Sequence, residues 1–363
     1  MKRLIIPIFI MNRGCPNRCI FCNESITAGN YTPDITVDSF TRTVEACLAT
    51  AKDRYQKRQI AFYGGNFTGL GRDEQEELLG FTLPYIETGK IHSLRLSTRP
   101  DHLDNGTLRY LFSRQVRTIE VGVQSFDDEV LARSNRGHTG EDARRAVGLL
   151  AREGFETGVH LMAGLPGDTA EGFIRTVEQT IDLSPRTVRI HPTIVFRDTA
   201  LARLYGEGRY RPLSLDEAVN LCAVALARFT AARIPVIRIG LQVTEEMLQE
   251  NAVLAGPFHP SLRSLVDATV FKNLALLLLN RVPSKAGELR FFLSPSDTSR
   301  FRGPRNSTVD YLNHHLGRSR LSILEDNHLA PGSLRLVAGT FNETLSVASR
   351  GDELAEMIQQ SIC

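Results

Sequence analysis

Half of the cysteines in this chain lie within one short segment. Of six cysteines in 363 residues, Cys15, Cys19 and Cys22 follow one another at spacings of four and three, in the stretch CPNRCIFC. Thiolates are the ligands that zinc and iron–sulfur clusters prefer, and short spacings allow one loop to surround one centre. The segment is therefore a candidate metal centre. The alternative is that all three cysteines are buried and structural.

The other cysteines, Cys47, Cys222 and Cys363, show no paired spacing that would supply a fourth zinc ligand. Cys47 and Cys222 fall in predicted apolar helices, where cysteine is more often an inert core residue than a ligand. Three thiolates from one loop consequently leave one coordination position open. Six cysteines in so long a chain are too few for a disulfide framework, so we expect a reducing, cytoplasmic setting.

The bulk composition indicates a globular protein with a sizeable core. The chain is 42% hydrophobic and 23% charged, and its formal net charge of +2 provides no whole-chain attraction to nucleic acid or to a membrane. Residues 1–11 combine two basic residues with a short apolar run, but no small-residue cleavage site follows, which argues against a signal peptide. The stretch LALLLLN at 274–280 is too short to span a bilayer and predicts a core helix.

Strand-like and helix-like stretches alternate through the first 200 residues. The strand-like runs lie at 3–10, 59–63, 93–98, 117–123, 157–163 and 187–196. This alternation predicts an α/β fold, with a parallel (β/α) barrel that is partial or complete. Helix signals agree, since TGED at 139–142 is a capping-box pattern and Gly154 is placed to end a helix. Because the alternation stops near residue 245, we predict a barrel domain over 1–245 and a smaller C-terminal domain over 246–363.

In a parallel barrel the chemistry lies in the loops that follow the strands. The cysteine segment is the loop after the first predicted strand. Polar or glycine-containing segments follow the next four strands, with the sequences FYGGNFTG (62–69), STRPD (97–101), EVGVQSF (120–126) and GLPGDTAE (164–171). We therefore expect these loops to meet at one end of the barrel, around one site.

The cysteine segment resembles the CxxxCxxC signature of radical S-adenosylmethionine (SAM) enzymes, including an aromatic residue, Phe21, before the last cysteine. The resemblance implies that Cys15, Cys19 and Cys22 hold three irons of a [4Fe-4S] cluster, while the fourth iron takes the amino and carboxylate groups of SAM. It also implies that one-electron reduction of SAM yields a 5′-deoxyadenosyl radical, which abstracts hydrogen from the substrate. The electron donor would be a reductant protein such as flavodoxin or ferredoxin.

The same resemblance implies a cradle for SAM after the second strand. Gly64 and Gly65 are similar to the family's glycine-glycine-acid motif, whose backbone receives the methionine end of SAM, but Asn66 replaces the acid. Glycine there permits close approach of backbone to ligand, so Gly65→Val should block SAM and leave the cluster intact. A plain turn is the alternative.

Three further positions match the family's SAM contacts. Gln124 and Ser125 correspond to residues that contact the ribose and the carboxylate, and Gly164 begins a motif similar to the glycine-rich segment on the adenine side. Ser125 could instead be the N-cap of the next helix. Gly164 could instead belong to an ordinary strand-to-helix turn.

Four polar residues near the strand ends have two readings each. Arg99 and Asp101 could contact SAM or form a structural ion pair. His138 could position substrate, although a polar loop histidine is more often solvated. His191 points either into the barrel near the adenine or outward toward a helix, and sequence parity leaves both open.

Several stretches also resemble the catalytic subunit of the Elongator tRNA-modifying complex and its bacterial relatives. These are STRPD, VGVQS with NRGHT (135–139), and the segment 190–210, so the likeness covers about residues 60–245. The cysteine spacing is shorter than Elongator's, and no long segment precedes it. After residue 245 neither the length nor the RxxGxG/A loop of an acetyltransferase domain is present, so acetyl transfer is not expected.

We therefore predict a radical SAM enzyme of unidentified substrate, with tRNA as a candidate and no membrane association; no oligomeric state is predicted. Oxygen-independent coproporphyrinogen oxidases share the cysteine spacing and GVQSF, but their usual tyrosine lead-in is missing. A non-catalytic iron–sulfur or zinc protein is the alternative from another class.

The segment 281–320 is locally basic, with eight basic residues and three acidic ones. Arg300, Arg302 and Arg305 lie beside an aromatic residue in SRFRGPRNS, which predicts a loop that contacts phosphate backbone. A solvated loop face is the alternative.

Overall fold

The computed structural model describes residues 3–29, 35–51, 55–283, 288–316 and 321–361. Its strands are β1 Arg3–Phe9, β2 Lys57–Tyr63, β3 Ser93–Thr98, β4 Val116–Gln124, β5 Glu156–Ala163, β6 Thr187–Pro192, β7 Val195–Phe196, β8 Val236–Ile239, β9 Val253–Ala255, β10 Leu289–Leu293, β11 Leu321–Glu325, β12 Ser333–Ala338 and β13 Phe341–Ser346. Its helices are α1 Glu24–Thr27, α2 Val37–Ala51, α3 Arg72–Gly80, α4 Leu83–Glu87, α5 Asn105–Ser113, α6 Asp128–Arg133, α7 Gly140–Arg152, α8 Ala170–Asp182, α9 Ala200–Gly206, α10 Leu215–Ala231, α11 Leu262–Leu279, α12 Thr298–Arg302, α13 Ser307–Leu316 and α14 Val347–Gln359. Cys363 lies outside these residues.

Seven parallel strands of the described chain form one curled sheet, in the order β1-β2-β3-β4-β5-β6-β8. Arg3 on β1 donates from Nη2 to Oε1 of Glu156 on β5 over 2.9 Å, although three strands lie between β1 and β5 in the sheet. A flat sheet would hold these side chains far apart, since neighbouring strands are separated by about 4.8 Å. The sheet is therefore a partial barrel, which confirms the predicted α/β fold class.

Alternation along the strands separates the core from the barrel interior. On β6, Val188 and Ile190 are fully buried in the hydrophobic core that the strands share with the helices. Arg189 and His191, which alternate with these two residues along the strand, line a cavity inside the barrel. Because side chains alternate between the two faces of a strand, His191 points inward.

The local helix signals are confirmed. Thr139 is the N-cap of α7 and forms a capping box with Asp142, and Gly154, just after the C-cap, adopts φ +78°. The run at 274–280 lies at the end of α11, where Leu274 and Leu278 are fully buried. No described helix has both the length and the apolar composition needed to cross a membrane.

The chain after residue 245 forms a second sheet, in the order β11-β10-β12-β13, in which β10 is parallel to β11 and antiparallel to β12. The helix α14 packs closely on α10, because a Cβ on Gly351 would lie 2.3 Å from the carbonyl oxygen of Ala227. One hydrophobic core includes residues of both sheets. The proposed domain boundary at residue 245 stays a prediction.

The helix-breaking residues of the arginine-rich segment 298–306 predicted a loop. The segment instead forms the helix α12, followed by a 3₁₀ turn. Phe301 is fully buried. Arg300 forms ion pairs with Asp267 at 3.0 Å and Asp297 at 2.8 Å. Arg300 therefore stabilises the C-terminal region, and its contact with phosphate stays a prediction.

Candidate functional site

A cavity of about 820 Å³ lies inside the partial barrel, at the end where the strands finish. Its lining combines the cysteine loop with side chains from the strands and the loops that follow them. Among its lining residues are Cys15, Cys19, Cys22, Gly64, Gly65, Arg99, Gln124, Arg136, His191 and Arg238. The cavity is the place where ligands of the cysteine loop and of the barrel interior would meet.

The cysteine loop is fixed against the loop that follows β2. The backbone N–H of Asn12 donates to the carbonyl of Gly64 over 2.6 Å, and the backbone N–H of Asn66 donates to the carbonyl of Arg13 over 3.0 Å. Gly14 adopts φ +73°, and a Cβ there would lie 2.1 Å from the carbonyl oxygen of Asn66. Only glycine allows this close approach, so the backbone around Gly14 fixes the position of the cysteine loop against the loop that follows β2.

The three thiols border the same cavity but are not gathered around one point. No group of three or more His, Cys, Asp or Glu side chains among the described residues is arranged to hold a single metal ion. A cuboidal cluster binds each thiolate at a different iron and needs its ligands spread around it. Three sulfurs of one loop that border a common cavity fit that requirement.

The surroundings of the thiols favour a positively charged partner. Burial, and after it Glu24, raise the pKa of Cys15 to about 11 and raise the pKa of Cys22 still further. Thiolates in this loop therefore need a cationic centre, which cluster irons supply. Arg136 already donates from Nη1 to Sγ of Cys19 over 3.1 Å.

Arg136 is a functional candidate that sequence reasoning missed. It is buried, lines the cavity and also donates to the carbonyl of Gly122 over 2.6 Å. The signal was present in NRGHT, where only His138 was considered. His138 is buried rather than solvated, and burial lowers its pKa to about 4, so the ring is neutral near pH 7.

The structure brings five of the eight predicted SAM residues to the cavity. They are Gly64, Gly65, Arg99, Gln124 and His191. Asn66, Ser125 and Gly164 are not part of the lining described. The role of all eight residues as SAM contacts stays a prediction.

Gln124 is the residue in this group with the most unusual backbone. It adopts φ +67° at the end of β4, where the register with β5 is irregular, and its side-chain Oε1 is buried without a hydrogen-bond partner. A non-glycine residue with positive φ is strained, and such strain concentrates at ligand sites. The unpartnered oxygen fits a polar ligand group that donates a hydrogen bond.

Arg99 forms the ion pair that was one of its two predicted alternatives, and its contact with SAM stays a prediction. Its Nε and Nη2 donate to the two carboxylate oxygens of Asp101 over 3.0 and 2.8 Å, which is a bidentate ion pair. Its Nη1 is buried without a partner, on a residue that lines the cavity. The ion pair therefore orients a guanidinium that still has a donor for a ligand.

The three residues outside the lining have protein partners. Ser125 accepts a hydrogen bond from the amide of Asp127 over 3.1 Å, and Asp127 rather than Ser125 is the N-cap of α6. The carbonyl of Gly164 accepts from the hydroxyl of Tyr210 over 2.7 Å. Asn66 donates to the carbonyl of Gly14 over 2.7 Å and accepts from Thr98 Oγ1 over 2.8 Å.

Gly65 supports the cysteine loop as well as bordering the cavity. A Cβ on Gly65 would lie 2.8 Å from both the carbonyl oxygen of Arg13 and Cγ1 of Ile10. Contrary to the expectation from sequence, Gly65→Val would therefore displace the cysteine loop, so it cannot separate SAM binding from cluster retention.

Three residues that line the cavity, Tyr63, Glu120 and Arg189, form a charged network with Arg95, called here the Glu120 network. Glu120 accepts from the Tyr63 hydroxyl over 2.7 Å, pairs with Arg189 Nε at 2.9 Å and also pairs with Arg95. Burial opposes ionisation of Glu120, but Arg189 and Arg95 outweigh it and lower its pKa. The carboxylate is therefore charged near pH 7 and holds two guanidinium groups in place.

Asn66→Ala is expected to lower the free energy of unfolding by about 2–3 kcal/mol. The substitution leaves the hydroxyl of Thr98 and the backbone N–H of Arg99, both on buried residues, without the oxygen that accepts their hydrogen bonds, and it also removes the hydrogen bond to the carbonyl of half-buried Gly14. Urea denaturation of the metal-free protein measures this. Asn105→Ala, at an exposed position at the start of α5, is the control and should change stability by less than about 0.5 kcal/mol. Equal effects of the two substitutions would contradict the role given to Asn66.

The chain matches two protein-family descriptions. Residues 9–180 match the radical SAM superfamily, and residues 185–272 match the radical SAM C-terminal domain. An uncharacterized protein of Methanocaldococcus jannaschii is 29% identical over 228 residues, which cover 60% of this chain and 69% of that protein. The tRNA uridine(34) acetyltransferase of the same organism is 31% identical over 136 residues, which cover 37% of this chain and 25% of that enzyme. The chain thus spans only a quarter of the length of that acetyltransferase.

Among solved structures, an N-terminally truncated archaeal Elp3 from Methanocaldococcus infernus superimposes with a TM-score of 0.57 and 20% identity, over 73% of this chain and 61% of that one. At this identity the likeness shows the fold alone. The sequence matches carry the assignment, and members of the matched superfamily use a [4Fe-4S] cluster and SAM. This chain belongs to the radical SAM superfamily and is a radical SAM enzyme.

Proposed function

We propose that Cys15, Cys19 and Cys22 hold the [4Fe-4S] cluster, that SAM binds in the cavity beside them, and that the substrate is tRNA. One observation carries the first two points: the three thiols of a single loop border the same cavity as the unpartnered polar atoms of Arg99 and Gln124. When bound, the cluster and SAM supply the 5′-deoxyadenosyl radical that abstracts hydrogen.

The protein's own residues have distinct tasks in this proposal. Gly64 and Gly65 offer backbone groups at the cavity wall, Gln124 Oε1 accepts a hydrogen bond from SAM, and Arg99 Nη1 donates one. The donor from Arg136 to Cys19 stabilises negative charge on the sulfur, and hydrogen bonds to cluster sulfurs affect reduction potential. An electron donor of the flavodoxin or ferredoxin class would supply the reducing equivalent.

Support for tRNA comes from the relatives. Enzymes named tRNA uridine(34) acetyltransferases are 26–31% identical to this chain over its matched part. Their acetyl transfer is not proposed for this chain, which spans 25–55% of their length. A tRNA substrate, together with sparse cysteines, supports a cytoplasmic setting.

The substrate is tested by deuterium transfer. Reduced protein is incubated with SAM and with tRNA that carries deuterated nucleosides, and 5′-deoxyadenosine is analysed by mass spectrometry. Incorporation of deuterium into 5′-deoxyadenosine is expected. Its absence, with incorporation from deuterated coproporphyrinogen in a parallel reaction, would replace the tRNA proposal by the porphyrin alternative.

Binding of bulk tRNA is expected to weaken steeply as salt rises, and the double substitution of Arg302 and Arg305 by glutamine should reduce the slope of log affinity against log salt by up to about 2. Arg300 is left intact because its ion pairs stabilise the fold. The matched control replaces two exposed α7 arginines, Arg145 and Arg152, and should keep the wild-type slope. Wild-type protein without salt-sensitive tRNA binding would contradict the prediction.

A further inference from the structure

The barrel interior beneath the cysteine loop is unusually polar. Parallel barrels are commonly filled by branched apolar side chains. Here the inward side chains that border the cavity include Tyr63, Glu120, His160, Arg189, His191 and Arg238. Burying such groups has a free-energy cost unless each is paired, so each unpaired group indicates a missing partner.

Two of these groups are arginines placed directly opposite each other. Arg189 on β6 and Arg238 on β8 are register partners on neighbouring strands, and both border the cavity. Like charges at opposed positions are destabilising. Burial, and after it the Arg189 guanidinium, lower the pKa of Arg238, although the group stays cationic near pH 7.

The two arginines differ in their partners. Arg189 is compensated by Glu120, through Nε at 2.9 Å and Nη2 at 3.1 Å. Arg238 has only a hydrogen bond of 3.5 Å to Oε1 of Gln242, and no carboxylate within the described ranges forms an ion pair with it. Of the acidic groups that border the cavity, Glu120 acts on Arg238 electrostatically but is already shared between Arg189 and Arg95.

The neighbouring histidines, His160 and His191, do not compensate the positive charge of the two arginines. The rings of His160 and His191 contact each other with centroids 4.2 Å apart, and burial lowers the pKa of His160 to about 3 and that of His191 well below its usual range. Both rings are therefore neutral near pH 7. The Nε2 atom of each is buried without a hydrogen-bond partner.

We propose that Arg238, with Arg189 beside it, binds an oxyanion group of the substrate inside the barrel. A phosphate or a carboxylate would separate the two opposed cations and accept charge-assisted hydrogen bonds from Arg238. The inference rests on the proposed function in one respect, namely that the cavity admits substrate next to SAM. It adds a requirement on that substrate, which must carry an anionic group that reaches β6 and β8.

The proposal is tested by calorimetric titration of the cluster-reconstituted protein at constant ionic strength, in separate arms with inorganic phosphate and with acetate. At least one anion is expected to bind. Arg238→Gln should weaken that binding by about tenfold or more, as for loss of a charge-assisted hydrogen bond. Arg238→Lys should restore part of it. Preference for phosphate would indicate a nucleotide phosphate as the natural group, and preference for acetate a substrate carboxylate.

Arg209→Gln is the matched control, since Arg209 is exposed and is not among the residues that line the cavity, and it should leave anion affinity within about twofold of wild type. Absence of binding in both arms would overturn the proposal. A loss of SAM affinity in Arg238→Gln as large as its loss of anion affinity would also overturn the proposal, because Arg238 would then belong to the SAM site. Formation of 5′-deoxyadenosine, measured on the same samples, reports separately on the proposed function.

Discussion

Replacing Cys15, Cys19 and Cys22 together by alanine is expected to reduce the iron content of anaerobically reconstituted protein from about four atoms per chain to nearly none. The other described cysteines, Cys47 and Cys222, do not border the cavity, so neither can substitute for the three thiols of the loop. Iron and acid-labile sulfide are measured together, and sulfide should fall in parallel.

Cys47→Ala is the matched control for the cysteine variant. Cys47 is half-buried on α2 and does not border the cavity, so this variant should retain about four irons. Full iron content in the triple variant would contradict the cluster assignment. Loss of iron in Cys47→Ala alone would show that the cluster ligands had been misassigned.

Glu120→Gln is expected to lower the free energy of unfolding by about 3–5 kcal/mol. The substitution keeps the shape of the side chain but leaves Arg95 and Arg189 in the barrel without their shared carboxylate, next to a third cation on Arg238. Urea denaturation of the metal-free protein measures the change. Glu207→Gln, at an exposed ion pair, is the control and should change stability by less than about 1 kcal/mol.

The contribution of Glu120 to the free energy of unfolding should depend on pH. Its pKa in the folded protein lies below the ordinary value of 4.5, so ionised Glu120 stabilises the fold fully above that value. This stability is lost as pH falls below 4.5 and through the folded pKa. The difference between wild type and Glu120→Gln should therefore be largest near neutral pH and narrow in acid. A difference that grows in acid would contradict the ion-pair account.

The sequence predicted those features that local patterns encode. Alternating strands and helices gave the partial barrel, and the capping box at Thr139 gave the start of α7. The cysteine spacing identified the loop that borders the cavity. Each depends on residues close together in the chain, so no tertiary contact was needed to find it.

The features that sequence reasoning missed depend on contacts between distant segments. Arg136 approaches Cys19 across 117 residues, and the opposition of Arg189 and Arg238 exists only once β6 and β8 pair. The C-terminal sheet escaped notice because its strand β13 is half exposed and because the short helices α12 and α13 separate β10 from β11. Of the two ion-pair partners of Arg300, Asp267 lies on another helix and could not be found from local sequence, whereas Asp297 is only three residues away.

The central claim is that this cysteine loop and the cavity beside it bind a cluster and SAM for reductive cleavage. The most direct measurement is the release of 5′-deoxyadenosine after reconstituted protein is mixed anaerobically with SAM and dithionite. Wild-type protein should release it, and the triple alanine variant of Cys15, Cys19 and Cys22 should release none. Wild-type protein that holds about four irons per chain and binds SAM, yet releases no 5′-deoxyadenosine, would contradict the account.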